Sequence, residues 1–493
     1  MLEEDTLQSS SGTAVIEPSA EDGENVESTQ GIKGSPVREL ATATSVDTDQ
    51  IEPSQGTEQV TPPPVVVDAT PKTPAPAAQI GDNSNGQDQQ KLQDAIIAGN
   101  IPQIVLYAIS SALHMGASDV HIEPEEKTIR LRFRVDGVLR HIIEYPVNIH
   151  PAVISRVKIM SNLKIDEQRI PQDGRTQVTT EDNRAIDLRV SSLPTVNGEK
   201  IVMRLQDKTK SIPDLPDLGL DGTMLEKMER FTKLANGIIL VTGPTGSGKT
   251  NTLYSTLHRL NQVGVNIMTF EDPVEYQMDG LNQSQVHPEI KYDFAMGLRT
   301  ALRQDPDIIM VGEIRDEETI EIAIRAALTG HLVLSTIHTN SAVGTLTRIT
   351  DMGVKPFLIT SSIRGIISQR LVRKICENCK EEYTPEKPVA DEILKELEDI
   401  SEKDIDPKLV QGMKLYKGKG CEVCNNLGYK GRAGVFEILE MDRGVAELVL
   451  KNAPDDQMME AAKKGGMITL KQDGFIKALK GITSIEEVFR IVQ

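Results

Sequence analysis

The sequence predicts an α/β protein: a domain built on a parallel sheet, preceded by a smaller α+β domain. Three observations predict it. Residues 237–260 read as a buried strand, a glycine-rich loop and a helix. From about residue 224, apolar β-branched runs alternate with segments of helical periodicity, the pattern of a parallel sheet with crossover helices. Upstream, Thr128-Ile-Arg-Leu-Arg-Phe-Arg-Val135 puts Ile129, Leu131, Phe133 and Val135 on one face and the arginines on the other, the period of a half-buried strand.

The 493 residues suffice for two or three domains, and the formal net charge is −19. The acidity is uneven. Residues 1–90 hold 16 Asp and Glu against 3 Lys and Arg, a net of −13, which leaves −6 for the remainder. This balance argues against a general nucleic-acid binder. Residues 1–90 contain no Phe, Tyr or Trp and are rich in Ser, Thr, Pro, Gln, Asp and Glu. Such a segment buries too little apolar surface to offset its ordering entropy. It is read as a disordered acidic tail, either a solvated extension or a tether. Its acidic start has the wrong charge for a signal or transit peptide. No stretch approaches the ~18 consecutive apolar residues of a spanning helix, so the expected location is cytoplasmic, with any membrane contact peripheral.

Residues 91–218 form the expected α+β domain. Ala95–Ala98 and Ile101–Met115 read as helices, and Ala117–Pro124 leads into the alternating strand. Asp136-Gly137 is a hairpin turn signal, with Val138–Tyr145 returning. A helix over 152–163, a second hairpin over 168–189 and a strand over 200–204 complete it. Gly219–Thr223, after Pro213 and Pro216, reads as the linker to the parallel-sheet domain, 219–372.

In that domain the buried strands are expected at 237–242, 266–270, 308–311 and 332–336, with helices at 320–328 and 342–350 between them. After the first strand comes Gly243-Pro244-Thr245-Gly246-Ser247-Gly248-Lys249-Thr250, a complete phosphate-binding loop. Gly243, Gly246 and Gly248 permit torsions and close approach that a Cβ would forbid. The loop amides then cradle phosphate at a helix N-terminus. Lys249 is placed to reach the β- and γ-phosphates of ATP, and the Thr250 hydroxyl to reach Mg²⁺.

Other stretches add chemistry. Asp307–Glu313 is an apolar strand ending in an acid, where a phosphate-loop ATPase carries a Mg²⁺- or water-directing carboxylate. Phe270-Glu-Asp-Pro-Val-Glu275 sets three carboxylates at the C-terminal end of another strand, the ligand edge of an open α/β sheet. Two of these acids, near Mg²⁺ and the γ-phosphate, are candidates to position the attacking water. His331 and His338 bracket the strand 332–336, and the spacing suggests that both reach one edge of the sheet. Cys376-Glu-Asn-Cys379 and Cys421-Glu-Val-Cys424 use all four cysteines. Four thiolates make a closed tetrahedral Zn²⁺ site; redox-active pairs are the alternative. The long spacing requires an insertion over about 385–412 to loop out, giving a zinc-binding subdomain at 373–430 and a helical C-terminal subdomain at 431–493.

Together these stretches resemble the ATPases of the type II secretion/type IV pilus class. The resemblance covers about residues 93–493. It is carried by Gly243–Thr250, the acidic box Thr269–Tyr276, Arg303–Asp316, the histidine box Thr329–Asn340, Ala117–Pro124 and Pro171-Gln-Asp-Gly-Arg175. It implies a PAS-like upstream domain, a RecA-like motor and a flexible linker between them, assembled as a homo-hexamer that hydrolyses ATP. It implies that Lys249, Glu271, Glu313 and His338 act in catalysis, and that Arg189 and Arg204 match upstream arginines that reach nucleotide. It implies a place at the cytoplasmic face of the inner membrane, where the ring turns the platform protein that assembles pilins. Pilus assembly is the leading expectation, and type II secretion, which shares every motif, is the alternative. The cysteine knuckles separate the chain from the retraction ATPases of the class, which lack that zinc site. The usual assembly ATPase of the class has a further folded N-terminal docking domain where this chain has its acidic tail. A nucleic-acid-translocating motor is disfavoured by the charge balance, and a non-catalytic scaffold by the intact set Lys249, Thr250, Glu271 and Glu313.

Overall fold

In the computed structural model the described residues are 85–179, 185–207 and 211–492, and they belong to one compact unit. The tail expected over 1–90 lies outside the described residues as far as residue 84. Its boundary needs correction, because α1 (Asn85–Ile97) already begins at Asn85. Asp88 is buried, accepts a hydrogen bond from Ser110 Oγ (2.9 Å) and pairs with His114, both on α2 (Ile101–His114). Polar composition hid a helix start that is anchored by one buried carboxylate.

The upstream domain is a six-stranded antiparallel sheet with helices on one face. Its strands are β1 (Ala117–Pro124), β2 (Thr128–Val135), β3 (Val138–Pro146), β4 (Gln172–Thr179), β5 (Ala185–Thr195) and β6 (Gly198–Asp207), in the order β3-β2-β1-β6-β5-β4. The alternation read in β2 is the burial pattern observed. Ile129, Leu131 and Phe133 join Val120, Ile122, Leu188 and Met203 in a core closed by α1, α2 and α3 (His150–Met160). The other face is charged, with Asp119, His121 and Glu123 of β1 opposite Arg134, Arg132 and Arg130 of β2.

The nucleotide-binding domain is a seven-stranded sheet in the order β15 (Tyr429–Glu440), β12 (Ile363–Ile375), β7 (Gly237–Thr242), β11 (Leu332–Ile337), β10 (Ile308–Val311), β8 (Ile267–Glu271), β9 (Asn282–Gln285). The four expected strands are β7 (Gly237–Thr242), β8 (Ile267–Glu271), β10 (Ile308–Val311) and β11 (Leu332–Ile337). All strands run parallel except β15. Strand β9 (Asn282–Gln285) extends one edge. Helix α4 (Gly222–Phe231) precedes β7, and α5 (Lys249–Leu260), α6 (Phe294–Ala301), α7 (Glu317–Leu328), α8 (Ala342–Asp351) and α9 (Pro356–Ser362) lie between these strands in sequence. Helix α4 starts inside the expected linker and buries Met224, Met228 and Phe231 in the core.

The boundaries expected at 372/373 and 430/431 do not separate folding units. Strand β12 (Ile363–Ile375) crosses the first, and β15 (Tyr429–Glu440) crosses the second; the two pair over most of their length. Between them, β13 (Lys380–Tyr383) pairs with β14 (Leu415–Gly418). The insertion between those strands folds back as α10 (Lys387–Glu396) and α11 (Pro407–Gln411) rather than only looping out. It buries Ile393, Leu397 and Ile405, and Asp404 accepts from Thr223 N and Oγ1 (both 2.8 Å). The chain closes with α12 (Arg443–Leu450), α13 (Asp455–Lys464), α14 (Leu470–Leu479) and α15 (Ile485–Val492).

Helix α14 is locked to β15 by Asp473, which is fully buried and accepts from Phe436 N (2.7 Å) and from Lys477 Nζ, itself buried. Removing one partner strands the other charge in the core. Asp473→Ala is therefore expected to destabilise the protein by about 3–5 kcal/mol in chemical denaturation. Glu321→Ala, which breaks the exposed Arg325–Glu321 pair (3.2 Å), should change stability by less than about 1 kcal/mol.

Candidate functional site

The phosphate loop leaves β7 at Gly243 and enters α5 at Lys249. Its conformation depends on the strand beside it. Gly243 has φ +145°, and a Cβ there would lie 2.5 Å from Gln369 O and 2.6 Å from Ser247 Oγ. Gly248 has φ +91°, and its Cβ would lie 2.8 Å from Gln369 Nε2. Gln369, buried on β12, also accepts from Thr252 Oγ1 (2.6 Å) one turn into the helix. Lys249 Nζ donates to Gly243 O (2.8 Å) and Pro244 O (3.2 Å). Burial lowers its ammonium below the ordinary value, with Glu313 opposing and Arg370 adding. Ser247 Oγ is buried without a hydrogen-bond partner and lies against Gly243. Pro244, Thr245 and Gly246 are exposed along the rim, and Thr250 is exposed on the first turn of α5.

The structure brings Lys249, Glu313 and His338 together. Glu313 follows β10, and its carboxylate lies 3.3 Å from His338 Nε2 and pairs with Arg315. His338 follows β11 and is half exposed. His331 does not share this edge. It precedes β11, so the six-residue strand separates the two histidines by about 20 Å. Its Nδ1 donates to Ala326 O (2.9 Å), which serves the C-terminal end of α7. Seven residues across an extended strand span the sheet and cannot return to one edge.

Glu271 ends β8 and is buried. It accepts from Tyr254 Oη, Thr269 Oγ1 (2.6 Å) and Gln283 Nε2 (3.1 Å). Glu275, four residues on, accepts from Arg189 Nη2 (3.3 Å) and from Gln206 Nε2. Arg189 thus reaches from the upstream sheet to the acidic box. Arg204, directly across from Arg189 on the adjoining strand, pairs with Asp119 (3.1 Å) instead. Residue patterns missed three contributors, namely Gln369, Arg370 and Tyr254. Arg370 donates to Asn340 O (2.9 Å) beside the histidine box. The only signal for the first two was a polar Ser368-Gln369-Arg370 trio inside an otherwise apolar run.

A cleft of about 510 Å³ opens beside the loop, lined by Gly248, Asn251, Met115, Asp136, Leu427 and Tyr429. The second cysteine knuckle borders it through Val423 and Cys424. All four thiols are free, and their sulfurs lie within 4.8 Å of one another. The separations Cys376–Cys421 (3.8 Å), Cys379–Cys424 (3.8 Å) and Cys421–Cys424 (3.7 Å) match the edge, about 3.8 Å, of a tetrahedron with ~2.3 Å Zn–S bonds. Amides of Gly420, Cys421 and Gly428 donate to Cys379 and Cys424 sulfurs at 3.2–3.3 Å, which favours thiolate. Burial pushes the thiols of Cys376 and Cys379 up, the latter to about 12; burial also opposes ionisation of Cys424, but the amides of Cys421 and Gly428 together with hydrogen bonds from Cys421 and Cys379 draw that thiol down to about 6. The donor set fits Zn²⁺. No helix among the described residues is long and apolar enough to cross a membrane.

A family model described as Type II/IV secretion system protein matches residues 94–490. The chain is 46% identical over 393 residues to the type II secretion system ATPase E of Vibrio cholerae, covering 80% of this chain and 75% of that one. It is 48% identical over 386 residues to the type IV pilus assembly ATPase PilB of Thermus thermophilus, covering 78% of this chain and 42% of that longer protein. Among solved structures, the Legionella pneumophila ATPase DotB aligns with a TM-score of 0.56 at 22% identity, over 79% of this chain and 95% of that one, a likeness of fold. The pilus retraction motor PilT with bound ADP aligns with a TM-score of 0.51 at 27% identity, over 78% and 95%.

Two outcomes are expected of the cysteine cluster. Elemental analysis of freshly purified, reduced protein should find about one Zn²⁺ per chain. Cys421→Ser should lose the metal and speed hydrogen exchange across residues 373–430, because binding energy here is folding energy. Metal-free reduced protein would overturn the zinc assignment.

Proposed function

Because the chain belongs to the Type II/IV secretion system protein family, we propose that it is a hexameric ATPase that hydrolyses ATP to power pilin assembly in a type IV pilus system. The observation that carries the chemistry is the convergence of Lys249, Glu313 and His338 on one phosphate loop. The pilus assignment is supported by 48% identity to a protein named for that task. A relative named for type II secretion, at 46%, supports a second reading in which the same motor builds a pseudopilus. The ring is proposed to sit in the cytoplasm, peripheral to the inner membrane, against a platform protein.

In this mechanism Lys249 exchanges the carbonyls of Gly243 and Pro244 for the β- and γ-phosphates of ATP, and Ser247 Oγ gains an acceptor. Thr250 and Glu313 would hold Mg²⁺, which supplies charge neutralisation on the phosphates when bound. Glu271 and Glu313 are the carboxylates assigned to orient the attacking water, with His338 steadying Glu313. Arg189 and Arg204 supply guanidinium charge from the upstream domain, in the manner of an arginine finger. Their present partners, Glu275 and Asp119, are the counter-ions they would leave. Zn²⁺ would be structural, since four cysteines leave it no open position.

Lys249→Ala should abolish phosphate release. Glu313→Gln should slow it by about 10²-fold or more while nucleotide still binds, as expected for loss of a group acting on water. Wild-type turnover by Glu313→Gln would remove that residue from catalysis. Restoring pili, rather than exoprotein secretion, to a strain lacking its own pilus-assembly ATPase would distinguish the two readings. Mixing Lys249→Ala with Arg204→Ala chains tests the ring. If Arg204 acts across the interface, mixed rings recover part of the activity that each variant lacks alone. No rescue in rings shown to be mixed places Arg204 in the site of its own chain.

A further inference from the structure

Tyr254 lies one turn into the helix that begins at the phosphate loop, and neither the loop motif nor the acidic box includes it. Its ring is buried and packs edge-on against Tyr276, with centroids 5.8 Å apart at 70°. The amides of Glu275 and Tyr276 both point at its oxygen, at 3.2 and 3.5 Å. Those two donors occupy the acceptor side of the hydroxyl, so its single proton is directed onto Glu271 Oε2. The other carboxylate oxygen, Oε1, takes Thr269 Oγ1 and Gln283 Nε2. Glu271 is therefore fixed at both oxygens, and the donor at Oε2 is rooted in the helix whose first turn carries Lys249 and Thr250.

We propose that Tyr254 is a positioning residue for hydrolysis, acting through Glu271: its hydroxyl sets the Glu271 carboxylate relative to the phosphate loop and ties the 275–276 backbone to the same point. The proposal rests on the ATPase reading above. Two hydrogen-bond directions, from α5 and from the acidic box, meet on one oxygen atom. A shift of α5 against β8 is thereby passed to the carboxylate rather than taken up by a rotating side chain.

The test uses full-length protein and steady-state phosphate release. Tyr254→Phe keeps the ring and its edge-on packing and removes only the hydroxyl. The expected result is a fall in kcat of about 10- to 100-fold, the size of effect of a misplaced reacting group. KM for ATP and affinity for a non-hydrolysable ATP analogue should stay within about 2-fold of wild type. Thr269→Val, which removes the donor to the opposite oxygen, should give the same split between kcat and KM and stands in if Tyr254→Phe does not fold. In the background of Glu271→Gln, adding Tyr254→Phe should cause no further loss. Wild-type kcat in Tyr254→Phe, a parallel loss of kcat and nucleotide affinity, or a multiplicative loss in the double variant overturns the positioning role. Wild-type protein that releases no more phosphate than Lys249→Ala overturns the ATPase reading itself, and the proposal with it.

Discussion

Gln369 is the buried amide on which the phosphate loop rests. Its backbone oxygen and side-chain amide stand where Cβ atoms of Gly243 and Gly248 would be, and its side-chain oxygen takes the Thr252 hydroxyl. A glycine-rich loop is conformationally permissive, so its shape must be imposed from outside. Here β12 imposes it at both ends of the loop. The same strand continues the parallel sheet beside β7, carries Arg370 to the histidine-box backbone and ends one residue before Cys376. Support for the nucleotide, the sheet edge and the first cysteine knuckle are consecutive parts of one extended segment.

The elements that were legible in the sequence are those whose pattern is local. The loop motif, the alternation in β2 and the short apolar runs of β7, β10 and β11 each specify their own conformation. Strand β12 escaped because Ser368, Gln369 and Arg370 interrupt its apolar run; those polar groups are accommodated in the interior by partners from elsewhere in the chain, Thr252 of α5 and Asn340. The same holds for the insertion after the first cysteine pair. Its Ile393 and Leu397 look like an ordinary amphipathic helix, and nothing local says that they meet the motor core. The histidines erred in the opposite direction. Nearness in sequence suggested one site, while the rise of an extended strand sets His331 and His338 at opposite ends of β11.

Of the candidate site, Lys249, Glu313 and His338 converge as their motifs imply, because each follows a neighbouring parallel strand at its C-terminal end. The upstream arginines depend on another kind of geometry. Cross-strand register aligns Arg134, Asp119, Arg204, Arg189 and Arg175 along one row of the antiparallel sheet. Four guanidinium groups with one acid among them leave an excess of positive charge facing away from the core. Glu275 of the acidic box meets part of it. Register is a long-range property, so the row became visible only once the strand order was known.

The extended run from Arg370 to Cys376 spans about 20 Å, and its pairing with β15 shifts register once, between Arg373 and Ile375. If the settling of the phosphate loop onto Gln369 is felt along that run at the cysteine knuckle, thermodynamic reciprocity requires a metal held there to bias the loop by the same binding free energy.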